Sequence, residues 1–342
     1  MTLIPHGGKA QTVVIYCNHG MFTMTTRPFS TESNSPDPAR TAASDPHRKP
    51  GRVPAGFRAM ATTLNLIGRV SPDLAGRMLQ ALWFRPFHRQ PGELTRAFWQ
   101  SAHRRTVLLT GQDGVDLHFW GDPGAPLIVG VHGWRGTGAQ FRHLVPGLVG
   151  AGYQICLFDM PAHGMNRTRF THVYEFMEVL LAIQNKAGRP AGVIAHSLGC
   201  QAVIQAIAKG FRPGHLAFIA PGINMDAMVN RFSQSLGLSS AVHQRFRAHL
   251  AARSVRLSED WIGTRDTLFE RLSHEVARQY LDHPGLLVAD DQDEEIIWQD
   301  FKAVAEYWPG ATTHFSSGLG HYRILKDEAV LSSVETYFRG QL

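Results

Sequence analysis

From about residue 106 onward, apolar positions in this chain follow two alternating rhythms. Short, largely apolar runs occupy 126–131, 154–158, 191–195, 216–220 and 285–289, each followed by proline, aspartate or histidine, and 311–315 supplies a last, more polar strand. Apolar runs of this length read as strands buried on both faces. Between them the spacing becomes helical. Phe141, Leu144, Val145, Leu148 and Val149 share one face, although Pro146 should kink that helix. Residues 173–187 continue the period, and Ala202, Val203, Ala206 and Ile207 form a stripe that Gly210 stops. Val330, Leu331, Val334 and Phe338 mark a closing helix. Strands that alternate with helices predict an α/β fold with a mostly parallel central sheet covered on both faces. Residues 106–110 and 115–120 alternate around Gly111-Gln112-Asp113-Gly114, a hairpin signal that adds an antiparallel edge.

Two stretches break this rhythm. Residues 223–284 hold no strand signal and many Arg, Ser and Gln residues, which predicts a helical cap inserted into a core of 106–222 and 285–342. Residues 1–55 lack sustained periodicity and are expected to be disordered. Residues 56–105 form a helical leader. Ser71-Pro72-Asp73 is a helix start, with serine as N-cap and proline in the first turn. Leu74, Met78, Leu79, Leu82 and Trp83 then form one apolar stripe, and a further helix over 93–102 presents Leu94, Ala97 and Phe98. Such helices either lie on a membrane surface or partner, since basic residues accompany the stripe, or pack on the core; the second reading is preferred.

The 342 residues are 44% hydrophobic and 18% charged, as in soluble globular proteins. The three cysteines, Cys17, Cys156 and Cys200, are scattered and odd in number. That argues against a disulfide framework and for a reducing compartment, the cytoplasm. No run approaches the roughly 18 apolar residues of a membrane span, and the N-terminus lacks a secretory signal pattern. The net charge of +6 is uneven: residues 1–108 hold 14 Lys and Arg against 5 Asp and Glu, and residues 109–342 hold 20 against 23. The basic excess belongs to the leader. It permits binding to anionic lipid or nucleic acid, but the leader shows no recognition fold, so no nucleic-acid partner is expected.

The chemistry centres on Ala195-His196-Ser197-Leu198-Gly199, where a strand meets a helix. A turn this sharp strains the middle residue and demands small neighbours two positions away. It pushes the Ser197 hydroxyl out at the carboxyl edge of the sheet, beside the free N–H groups of a helix N-terminus. Serine is a poor nucleophile without a base that is itself oriented by a third group. Candidates follow in chain order, each after a predicted strand. The acidic run Asp290-Asp291-Gln292-Asp293-Glu294-Glu295 follows 285–289, and His321, flanked by Gly318 and Gly320, follows 311–315. A solvated acidic turn or a cation site would also cluster carboxylates, but neither explains why the cluster falls at this strand end, and Asp226 is a distant alternative. Most of the 18 histidines must be structural or solvent-facing.

These residues resemble the α/β-hydrolase superfamily of serine hydrolases, and are similar to its serine aminopeptidase and monoacylglycerol-lipase group. The family's G-x-S-x-G elbow appears here with Ala195 in the first position, and Cys200 follows the second glycine. The resemblance implies Ser197 as nucleophile, His321 as base and Asp293 as the orienting acid, with Asp290 shaping its loop and Asp290 or Asp291 the alternatives. It implies an oxyanion hole formed by the backbone amides of Leu198 and Trp134, and loop-shaping roles for His132 and His163. His196 lies inside the elbow, where it would touch the site but is too close in sequence to act as the base. Asn166 stands where the family often has serine. The implied activity is hydrolysis of a small apolar carboxylic ester or thioester substrate with no cofactor or metal. Acyl transfer, peptide cleavage and a non-catalytic binding module are the alternatives. Dehalogenase and epoxide hydrolase chemistry uses aspartate at the elbow, which Ser197 argues against. Oligomeric state is not implied.

Overall fold

A computed structural model describes residues 11–17, 20–26, 55–86, 91–109, 114–166 and 168–342. The chain divides into two compact units, Met1–Ala43 and Ser44–Leu342. In the first, β1 (Gln11–Cys17) pairs antiparallel with β2 (Gly20–Thr26). Both strands are rich in Thr, Val, Ile, Tyr and Phe, residues that suit a pleated surface; the sequence reading assigned no element there. The remainder of the leader expected to be disordered lies outside the described residues, as does the loop at 110–113.

The second unit opens with three helices, α1 (Ala55–Val70), α2 (Pro72–Trp83) and α3 (Glu93–Gln100). The sheet that follows consists of β3 (His103–Val107), β4 (Val115–Trp120), β5 (Leu127–Val131), β6 (Gln154–Phe158), β7 (Gly192–His196), β8 (His215–Ile219), β9 (Gly285–Asp290) and β10 (Ala311–Ser316). Its spatial order is β10-β9-β8-β7-β5-β6-β4-β3. Pairing is parallel from β10 to β6 and antiparallel at β6–β4 and β4–β3. The expected antiparallel edge is thus present.

Between the strands run α4 (Val145–Gly150), α5 (Val173–Ala187), α6 (Leu198–Ala208), α11 (Trp298–Tyr307) and, after α12 (Gly320–Arg323), the closing α13 (Glu328–Arg339). Strand side chains alternate between two cores, as the period-2 geometry of a strand requires. Val129, Val131, Val193, Ala195, Leu216 and Phe218 pack on the side of α5 and α6. Ile128, Ile194, Ala217 and Ile219 face Val145, Leu148, Val330, Val334 and Phe338 from α4 and α13. The segment between β8 and β9 carries α7 (Met225–Ser235), α8 (Ser240–Ile262), α9 (Leu268–Arg271) and α10 (His274–Ala277), with no strand.

Three elements differ from the sequence expectation. Instead of one kinked helix after β5 there is a short 3-10 turn, Gly138–Phe141, and then α4, with Pro146 in the first turn of α4. Proline lacks an N–H, so it starts a helix more readily than it bends one. The first hairpin strand lies earlier than 106–110, because Arg104 and Thr106 reach Asp116 across the pair while Leu108 is left exposed. On α2 the buried face is Ala75, Gly76 and Leu79, and Leu74 and Met78 are exposed. Small residues set this rotation, because α2 presses on α8 at Gly76, where an added Cβ would lie 2.8 Å from the Arg245 backbone. Ser71 caps α2 by accepting a hydrogen bond from Leu74 N.

The Gly76 approach yields a stability prediction. Gly76→Val should overpack the α2–α8 contact and lower unfolding free energy by about 1–3 kcal/mol. Chemical denaturation would read this as a lower midpoint, and an unchanged midpoint would contradict the close approach.

Candidate active site

The strand order changes direction at β5, which lies between β6 and β7. In open α/β sheets the crevice at such a switch point, outside the carboxyl ends of the strands, is where ligands bind. Ser197 sits there, between the end of β7 and the first residue of α6, with φ 54° and ψ −126°. A non-glycine residue in this region costs on the order of 1–3 kcal/mol and persists only where its surroundings enforce it. They do so through three backbone hydrogen bonds. Ser197 N donates to Ile219 O at 3.1 Å, and Cys200 N and Gly222 N donate to Ser197 O at 3.0 and 3.1 Å.

The loop after β5 closes on the serine from the other side. A Cβ on Gly133 would come within 2.6 Å of Ser197 Cβ and 3.2 Å of Ser197 Oγ. Only glycine fits at this position, directly before the amide of Trp134. The Leu198 amide is the first N–H of α6, one of those a helix cannot satisfy internally. Among the described residues neither amide donates to a protein backbone acceptor outside its own helix.

His321, in α12 after β10, completes a hydrogen-bonded chain. Its Nε2 lies 3.0 Å from Ser197 Oγ and its Nδ1 lies 2.8 Å from Asp293 Oδ2. All three side chains are buried. The carboxylate fixes the tautomer: Nδ1–H donates to Asp293, so Nε2 of the neutral ring accepts from the serine hydroxyl. Asp293 is held in turn by the amides of Glu295 and Ile296, each 2.8 Å from Oδ1.

The other acidic candidates lie elsewhere. Asp290 accepts from the amides of Gln292, Leu319 and Gly320 and from the Ser316 hydroxyl, so it ties the acidic loop to the histidine loop. Asp291 makes no contact with His321 among the described hydrogen bonds, and Asp226 on α7 engages Arg247 and Asn230.

Three further histidines frame this chain. His132 Nδ1–H donates to Gly133 O at 2.8 Å and its Nε2 accepts from Met160 N at 2.9 Å. His163 Nδ1–H donates to Pro161 O and its Nε2 accepts from Arg135 N, both at 2.9 Å. Together they stitch the β5 and β6 loops to each other, with Asp159 accepting from Gly138 N and Met165 N. His196 Nε2–H donates to the His321 carbonyl at 2.9 Å, and the two rings are 4.7 Å apart. Burial, reinforced by the neighbouring His321, holds the His196 pKa well below its usual value, so it stays neutral.

Sequence reasoning missed two residues. Tyr322 O–H donates to Glu295 Oε1 at 2.6 Å, and Glu295 Oε2 lies 3.6 Å from His321 Nε2. Their adjacency to His321 and Asp293 was the available signal. Burial opposes protonation of His321, but Asp293 and then Glu295 outweigh it, so the imidazole is pushed up to about 9. A cavity of about 760 Å³ opens onto Ser197 and is mainly apolar, with Glu295, Tyr322 and Arg135 among its polar residues.

The electrostatics give a direct test by NMR titration of the His321 imidazole. Glu295 favours the imidazolium, so Glu295→Gln should lower the His321 pKa relative to wild type, and Asp293→Asn should lower it further. Folded His321 holds its proton to about 9 and an unfolded histidine only to about 6.5. The resulting stabilisation is therefore complete below about pH 6.5 and lost as the pH rises through 9. An unchanged titration in both variants would contradict this account.

Known proteins share this arrangement of strands and loops. A solved esterase from Pyrococcus furiosus, Pf2001, aligns with a TM-score of 0.54 at 16% identity, over 75% of this chain and 99% of its own. The esterase RhEst1 from Rhodococcus sp. ECU1013 aligns with a TM-score of 0.52 at 17% identity, over 70% and 98%. At these identities the likeness is one of fold. The uncharacterised hydrolase YugF of Bacillus subtilis is 27% identical over 100 residues, a match that spans 28% of this chain and only 36% of that relative's length. The model of the alpha/beta hydrolase family matches residues 128–332, well over half of the sequence. The chain belongs to the alpha/beta hydrolase family.

Proposed function

We propose that this protein is a serine hydrolase of carboxylic esters or thioesters that works through an acyl-enzyme on Ser197. The observation that carries the reading is the buried hydrogen-bonded chain Ser197–His321–Asp293 at the carboxyl edge of the sheet. In the first step His321 Nε2 takes the hydroxyl proton as Ser197 Oγ attacks the carbonyl carbon. The ring can do so only when neutral, and Asp293 holds it in the tautomer that leaves Nε2 free to accept. Negative charge develops on the carbonyl oxygen. In this reading the amides of Leu198 and Trp134 donate to it, each worth about 100- to 1000-fold in rate. His321 then returns the proton to the leaving oxygen or sulfur. Water, deprotonated by the same nitrogen, attacks the acyl-enzyme and releases the acid.

Residues 223–284 serve in this reading as a cap, since Met225, Met228, Phe232 and Leu272 line the cavity above the serine. The mainly apolar wall supports an apolar acyl group. The esterase titles of Pf2001 and RhEst1 agree with ester cleavage. The cavity accommodates a substrate beside the nucleophile, which favours catalysis over a binding module without chemistry.

Labelling with a fluorophosphonate probe tests the assignment. Wild type should label and turn over nitrophenyl esters, while Ser197→Ala should fail to label and lose roughly 10⁶-fold in turnover. Equal labelling of both proteins would refute the role of Ser197.

A further inference from the structure

The chamber beside Ser197 has a wall that the hydrolase core and the cap do not supply. Phe57 and Met60 of α1 line it together with Leu79, Leu82 and Trp83 of α2. These helices are fixed in place. Asn65 Nδ2 donates to Gly237 O at 2.8 Å and its Oδ1 accepts from Ser239 N at 2.9 Å, which binds α1 to the turn between α7 and α8. Asp73 accepts from His249 Nε2 at 2.9 Å, and Gly76 lets α2 press onto α8. Leu64, Ala75 and Leu79 belong to the same continuous core as Met225, Val229 and Leu272.

The orientation of a substrate follows from the chemistry. The leaving atom must lie next to His321 Nε2, because that nitrogen delivers its proton. The immediate neighbours there are polar: Glu295 at 3.6 Å from Nε2, and Tyr322, whose ring lies 5.0 Å from the His321 ring, centre to centre. The acyl group is left with the opposite, apolar side. Met228 stands at its entrance, since a Cβ on Gly222 would lie 3.0 Å from Met228 Sδ and 3.3 Å from Ser197 C. Phe232 follows on the same helix, and Trp83 of α2 meets it edge-on at 5.1 Å. An apolar path therefore runs from the nucleophile to the N-terminal helices. Its volume decides what fits. About 150 Å³ suffices for a guest the size of benzene, and about 760 Å³ is several times that.

We propose that α1 and α2 form the far wall of the acyl chamber, and that the site takes medium- to long-chain or comparably bulky apolar acyl groups, with the alcohol or thiol leaving over the polar rim at Glu295 and Tyr322. This rests on the ester-hydrolase reading above and narrows its substrate to acyl groups larger than acetyl or butyryl. Each methylene buried in the chamber raises kcat/KM by about fourfold until the chain fills it.

The test is a nitrophenyl ester series from acetate to dodecanoate, kept below micelle formation. Octanoate should exceed acetate by at least about 100-fold in kcat/KM. Met60→Trp, which narrows the far wall, should lower the dodecanoate-to-butyrate ratio by about tenfold or more, and Met60→Ala should move it the other way. Calorimetry on Ser197→Ala gives a readout without turnover: dodecanoate should bind at least tenfold more tightly than butyrate, and the added Met60→Trp change should erase the difference. A flat or falling chain-length profile in a protein that still labels at Ser197 would overturn this inference alone. Failure of wild type to label or turn over any ester would instead strike the hydrolase reading beneath it.

Discussion

Everything at the site depends on holding one serine in a backbone conformation that an L-residue resists. With φ at 54°, Ser197 directs its hydroxyl away from the path of the strand, and no local propensity favours that state. The sheet supplies the restraint. Ser197 N is pinned to β8 through Ile219 O, and its carbonyl receives Cys200 N from α6 and Gly222 N from the loop after β8. β7, which delivers the serine, is buried along its whole length and paired on both sides. A strain of a few kcal/mol is small against the burial that fixes these strands, so the elbow is a consequence of the sheet.

The same logic extends outward. Because β5 lies between β6 and β7, the loops after β5, β7 and β10 converge on one crevice although they are far apart in sequence. Asp290 shows how convergence becomes precision. Its carboxylate accepts from Gln292 N in its own loop, from Ser316 in β10 and from Leu319 N and Gly320 N just after β10, so it ties the loop of Asp293 to that of His321, whose side chains meet at 2.8 Å. His132 and His163 perform the matching task between the loops after β5 and β6, each using both ring nitrogens.

Much of this was legible in the sequence, for a physical reason. Parallel strands buried on both faces must be apolar throughout, so they announce themselves, and the residues at their carboxyl ends are candidates for the site. Ser197 and the acidic loop, after β7 and β9, were found in that way, while His321 follows the more polar and exposed β10 and stood out through its glycine-flanked loop. The choice among Asp290, Asp291 and Asp293 rested on family resemblance, because it depends on which carboxylate reaches across a loop of fixed shape. Glu295 and Tyr322 escaped notice since nothing in their spacing signals that a half-exposed carboxylate will stand 3.6 Å from a buried imidazole. The rotation of α2 was hidden too. An apolar stripe at helical spacing predicts the packed face only when side-chain size does not decide, and at Gly76 close backbone approach outweighed it.

Turnover by the proposed route passes through a covalent acyl group on Ser197 Oγ. Rapid acid quench of the wild-type protein mixed with an ester, followed by peptide mass spectrometry, measures that intermediate directly. A transient acyl mass should appear on the peptide carrying Ser197, formed within the first turnover and lost as the acid appears. Steady ester cleavage with no adduct, or an adduct on another residue, would contradict that route.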